Sequence, residues 1–340
     1  MKTLPWSTLL GVSLTSALAC SGTPEGAAPA QGGTAGALSS AGAASTLATA
    51  GSAGDPLAQA GGSAGGDVSI ADGGAVLGEA GSAGSIGIDD PDVPPAGWTL
   101  TWSDEFDGPA GQQIDPKKWK YQNSASNVNN ELEYYTNRPA NSGLDGQGHM
   151  LIHSLKEDYN GRRYTSAKFT TKGLFSQQYG RFEARIQLPA GKGLWPAFWA
   201  LGTNDSAGWP ACGEMDIMET IGNQLTINRG SLHGPGYSGG NPLTAQFKLT
   251  GGSDFSQDFH VFTEEWEENV VRFYVDDMLY ETRTPKDLNG KKWVYDHTFY
   301  LIMNVAVGGM FPGNPDDSIF PRTMSIDYVR VYARSAPVAP

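Results

Sequence analysis

The sequence predicts an all-β domain, a sandwich or barrel, behind a long tether. Three observations predict it. From Trp98 onward the chain is rich in Trp, Tyr and Phe and runs in short segments that alternate apolar and polar residues. Turn clusters such as "DGQG", "PAGKG", "HGPGYSGGN" and "FPGNPDD" separate them. No segment sustains a helical period. Alternation with Gly, Pro, Asn and Asp punctuation is what half-buried strands produce.

From the N-terminus, residues 1–19 read as an export signal. Lys2 is basic, Leu9 to Leu18 is apolar but too short to span a bilayer, and Ala17-Leu18-Ala19 fits a cleavage site. Cys20 follows at once, an order that resembles a bacterial lipoprotein signal, although Leu18 stands one place nearer the cysteine than that pattern has it. Ordinary secretion is the alternative. Residues 20–95 are mostly Gly, Ala and Ser, which cannot bury enough apolar surface to offset their ordering entropy, so a disordered linker is expected. Residues 96–334 suffice for one β-rich core, and 335–340 form a tail. A formal net charge of −13 argues against nucleic acid and polyanions but not against a neutral polymer. Cys212 is the only cysteine besides Cys20, so a disulfide within the domain is excluded, and a small buried residue is expected there. A monomer is expected.

The strands expected are carried by "HMLIHSL", "YGRFEARIQL", "VVRFYVDD", "FYLIMNVAV" and "MSIDYVRVYA". In "RFEARIQL", Phe182, Ala184, Ile186 and Leu188 share one face and should meet the core. Arg181, Glu183, Arg185 and Gln187 share the other, which could line a cleft. His149 and His153, four apart on a strand, make a weak metal site.

"GEMDIMET", residues 213–220, is different. On a regular strand Glu214 and Asp216 share a face, while Glu219 falls among the core residues. Two glutamates four steps apart have Cα atoms about 13 Å apart at about 3.3 Å per residue. Side chains leaning inward by about 4 Å each leave about 5 Å, the separation that hydrolysis of a glycoside with retention requires. This strand has five steps and the wrong parity. A β-bulge at Ile217 or Met218 would correct both, returning Glu219 to the face of Glu214 and Asp216, with Met215 facing the core. In this arrangement Glu214 is the nucleophile and Glu219 the acid/base. Burial and the charge of Glu214 should raise the Glu219 pKa; Asp216 can share a hydrogen bond with Glu214, and the three should titrate as a coupled set.

These stretches, with "WSDEFDG", "NVNNELEYYT", "LWPAFWALG", "LIMNVAVGG" and "MSIDYVRVY", resemble glycoside hydrolase family 16 over essentially all of 98–333, and within it the bacterial endo-β-1,3-glucanases. The resemblance implies a β-jelly-roll of two antiparallel sheets with a cleft on its concave face, a retaining mechanism and a β-glucan substrate. It gives the three acids the roles just argued, and no catalytic cofactor. Mixed-linkage glucanase, transglycosylase and non-catalytic glucan receptor are the alternatives. Matching cleft positions are Asn130, Trp195, Trp199, Trp209 and His233. Lys168 stands where Arg is common and Phe311 where Trp is common. A structural calcium is also implied, with Asp327 as its side-chain ligand and backbone oxygens from Glu105 and Gly148.

Overall fold

The computed structural model describes residues 93–126 and 128–335. The export segment, Cys20, the linker up to residue 92 and residues 336–340 lie outside the described residues. Two sheets form, of seven and eleven strands. The only helical segments among the described residues are three short 3-10 turns.

The seven-stranded sheet runs Leu243–Lys248, Ile227–His233, Glu214–Glu219, Leu194–Gly202, Phe299–Val307, Lys168–Thr170, Lys120–Tyr121, each antiparallel to the next. The eleven-stranded sheet is centred on Gly180–Gln187 and Arg322–Arg334. One of its pairs, Glu133–Tyr135 with Arg162–Ser166, is parallel. The first strand, Trp98–Asp104, pairs with Arg322–Arg334, so both ends of the domain close on each other.

Strand parity separates the two faces. On Leu194–Gly202, Phe198 and Ala200 enter the main core, where they join Phe182, Ala184, Ile186 and Leu188. The alternate residues Ala197, Trp199 and Leu201 form a smaller cluster with Cys212, Tyr300 and Ile302, beside Trp209. The seven-stranded sheet thus has a dry inner face and an outer face that carries the cleft. Side chains in the main core, at about 1.5–3 kcal/mol each for a fully buried large apolar group, hold that face in register.

One expectation fails here. The polar face of "RFEARIQL" belongs to the eleven-stranded sheet and does not line the cleft. Ion pairs fill it instead: Arg181 contacts Glu183, Glu265 and Asp277 at 2.6, 3.3 and 3.0 Å. Alternation told which residues share a face but not which sheet the strand joins.

Candidate active site

The acid strand, Glu214–Glu219, is bulged. Against Leu194–Gly202, Met218 opposes Phe198 and Asp216 opposes Trp199, so Ile217 is the residue skipped. Against Ile227–His233, Asp216 opposes Ser231 and Glu219 opposes Arg229, so Ile217 and Met218 together face Gly230. Both neighbours agree on the count. Glu214 and Glu219 are five residues apart, but their partners Leu201 and Ala197 are four apart, as are His233 and Arg229. Met215, Ile217 and Met218 all sit in the main core. Two consecutive inward residues are what the parity conflict required.

The bulge brings Glu219 to the cleft beside Glu214. Both line a cavity of about 370 Å³ with Trp195, Trp209, Arg229 and His233. Each glutamate is held by an indole. Trp209 Nε1 donates to Glu214 Oε2 at 3.0 Å, and Trp195 Nε1 donates to Glu219 Oε1 at 3.0 Å. Glu214 and Asp216 are buried, whereas Glu219 is partly exposed.

His233 completes the cluster. Its Nδ1 accepts the Gly239 N–H at 3.1 Å, which leaves the ring proton on Nε2. That Nε2 lies 3.0 Å from Asp216 Oδ2 and 3.9 Å from Glu214 Oε1. The short contact is an ion-pair distance with poor hydrogen-bond geometry, and Asp216 Oδ2 has no hydrogen-bond partner. The hydrogen bond expected between Asp216 and Glu214 is not formed.

Burial is the main force on all three acids and pushes each up to about 8. For Glu214 the charges of Asp216 and Glu219 add to it, while His233 and the Trp209 N–H oppose it. For Glu219 the added charge is that of Asp216 rather than the Glu214 charge expected, and His233, Trp195 and Arg229 oppose it. Acids this close do not all ionise near neutral pH, and they titrate as a set.

A chain with this cleft has close relatives. Residues 116–330 match the model of glycosyl hydrolases family 16. The chain belongs to that family. It is 41% identical over 262 residues to a β-glucanase of Rhodothermus marinus, covering 73% of this chain and 89% of the relative. It is 36% identical to a glucan endo-1,3-β-glucosidase A1 of Niallia circulans, over 70% of this chain but 38% of that longer protein. Among solved structures, the laminarinase catalytic domain of Thermotoga maritima is 45% identical with a TM-score of 0.66, covering 70% of this chain and 99% of that one. The chain is therefore a glycoside hydrolase, and its sandwich is the family 16 jelly roll.

The other positions expected of a family 16 cleft divide. Trp195 and Phe311 meet edge to face, ring centroids 5.1 Å apart, on the cavity wall. Trp199 is only 7% exposed and lines a smaller space of about 60 Å³. Its Nε1 donates to Asn304 Oδ1 at 2.9 Å, and Lys168 Nζ sits 4.8 Å from its ring. Lys168 also faces the Tyr135 ring at 5.7 Å. Asn130 is a correction: it is exposed and lines neither space, whereas Asn129 lines both. Both residues have positive φ, 52° and 57°, a local turn of the chain that spacing alone does not reveal.

Arg229, Ser231, Asn129 and Asn304 were missed. Parity counted back from His233 would have found Ser231 and Arg229. Asn304, the one polar residue in "LIMNVAV", was a visible signal too.

Metal donors do not fit well. As paired, Asp327 does not suit a cation, because Arg185 Nη1 already lies 2.5 Å from its Oδ2. Glu105, expected to offer its backbone oxygen, pairs its carboxylate with Arg330 at 2.8 Å, which bears on the side chain alone. Among the described residues, Glu214, Asp216 and His233 lie close enough to share an ion. A metal on Nε2 would need the His233 proton on Nδ1, where Gly239 already points its N–H. His149 and His153 are engaged separately, by Asp145 and Thr323.

Proposed function

We propose that this chain is an endo-acting β-1,3-glucan hydrolase that works with retention. The four-step register between Glu214 and Glu219 on both neighbouring strands carries this reading. At about 3.3 Å per residue it sets the Cα atoms about 13 Å apart, and side chains leaning inward by about 4 Å each would bring the carboxyls to the separation of about 5 to 5.5 Å that a covalent intermediate needs, too short to admit the water of an inverting site. The names of the relatives support β-1,3-glucan as substrate.

Glu214, ionised, attacks the anomeric carbon. The bond to the leaving oxygen breaks as Glu219 gives that oxygen its proton, and a glycosyl ester forms on Glu214. Glu219, now a carboxylate, takes a proton from water, which attacks the same carbon and releases Glu214. The Trp209 N–H favours the ionised form of Glu214. Burial raises the Asp216 pKa, which limits the negative charge held beside Glu214 and Glu219. Trp195 and Phe311 offer apolar faces to the sugar path.

Neither metal nor cofactor takes part in these steps. The pattern of residues 1–19 and Cys20 supports export, with attachment to a membrane if Cys20 carries lipid. Among the described residues no helix is long and apolar enough to cross a membrane. The test is to incubate residues 96–340 with laminarin, lichenan, agarose and xyloglucan and follow reducing ends and product sizes. Release of short oligosaccharides from laminarin is expected. Hydrolysis of agarose alone would contradict the reading.

A further inference from the structure

The bulge that places Glu219 also breaks the ladder around it, and backbone groups beside an extra residue lose their strand partners. In this chain a side chain replaces them. Asn228 lies on Ile227–His233, one residue from Arg229, and alternation turns it to the inner face while Arg229, Ser231 and His233 face the cleft. It is fully buried. Its Oδ1 accepts the Glu219 N–H at 3.2 Å, and its Nδ2 donates to the Ile217 carbonyl at 3.4 Å. One amide therefore spans the bulge, gripping the chain on both sides of Met218.

The clip is itself anchored. Asn228 Nδ2 also donates to Tyr280 Oη at 3.2 Å, and Tyr280 belongs to Met278–Arg283 at the edge of the other sheet. Gly230, opposite the bulge, makes this possible, since a Cβ there would stand 2.5 Å from that hydroxyl. An apolar residue at 228 would fill the space but leave the Glu219 N–H and the Ile217 carbonyl without these bonds in a dry interior.

We propose that Asn228 is a positioning residue: it fixes the backbone of the bulge so that the Glu219 carboxyl meets the leaving oxygen. The proposal rests on the reading of Glu219 as the acid/base. Misplacement by about 1 Å far from the chemistry can lower a rate on the order of 10²-fold. The loss should fall on protonation of the leaving group and spare reactions that need no proton.

The experiment measures kcat/KM on aryl β-laminaribiosides with a poor leaving group, phenol, and a good one, 2,4-dinitrophenol. Asn228→Leu, which at similar volume removes both hydrogen bonds to the bulge and the one to Tyr280, should lose on the order of 10²-fold on the phenyl substrate and little on the dinitrophenyl one. Asn228→Asp keeps the acceptor for the Glu219 N–H. It should show the same pattern more weakly, and it carries the test if the leucine variant does not fold. Equal losses on both substrates, or no loss in a folded variant, overturn the proposal. Glu219→Ala serves as control. If it lacks the leaving-group dependence, the acid/base reading itself is wrong. If it shows the dependence and both Asn228 variants do not, Asn228 is structural only.

Discussion

Glu219 and Glu264 are both carboxyl groups drawn out of water within one sandwich, yet their surroundings differ. Glu219 accepts the Trp195 indole N–H and has Arg229 beside it, at the edge of a cavity. Glu264, on His260–Glu267 in the other sheet, is wholly buried between Phe182 and Phe273 on its flanking strands. Neither of its oxygens has a hydrogen-bond partner. Burial, with the charge of Asp216 behind it, holds Glu264 well above the usual carboxylate range. A raised pKa therefore does not by itself mark a working acid. What distinguishes the cleft group is a donor on one side and open space for substrate on the other.

The comparison can be broken at either end. The largest effect is expected at the nucleophile: Glu214→Gln should lower laminarin turnover by at least about 10³-fold while laminarin binding, read by calorimetry, persists. Glu219→Gln should follow, with a loss of about 10²- to 10⁴-fold in steady-state assays on laminarin. Glu264→Leu should leave turnover intact and stabilise the fold by about 1–3 kcal/mol, since it removes a buried carboxyl without partners. A turnover loss there would erase the distinction drawn between the two sites.

The pH dependence follows from the same shifts. A carboxyl raised in the folded state contributes its stability below its unfolded value, about 4.3 for Glu, and loses it as pH rises through the folded one. For Glu214 that loss runs up to about 8. Melting temperatures of the native chain should fall across that window, and those of Glu264→Leu and Glu214→Gln should fall less, so the gap widens with pH. The smallest effect is expected for Trp209→Phe. Without the indole N–H, Glu214 ionises at higher pH, and the acid limb of kcat should move in the alkaline direction.

Much of this was legible in the sequence because strand chemistry has a period of two. The odd spacing of Glu219 from Glu214 required a bulge, and both neighbouring strands register it. The core face of "RFEARIQL" was legible for the same reason, but its polar face was not, because ion-paired and substrate-facing residues alternate alike. Asn130 was misplaced by one position because two consecutive residues there have positive φ. Asn228 and Glu264 could not be read at all. The period of a strand tells which residues share a face but not what the opposite sheet offers them, and here that sheet gives Asn228 the Tyr280 hydroxyl, whereas Glu264 has no hydrogen-bond partner.

The central claim is that the bulge sets Glu214 and Glu219 at the separation for a covalent intermediate. Proton NMR of laminarin hydrolysis, recorded in the first minutes before mutarotation, tests it most directly. The account predicts that the new reducing ends appear first as the β-anomer. Initial accumulation of the α-anomer would contradict it.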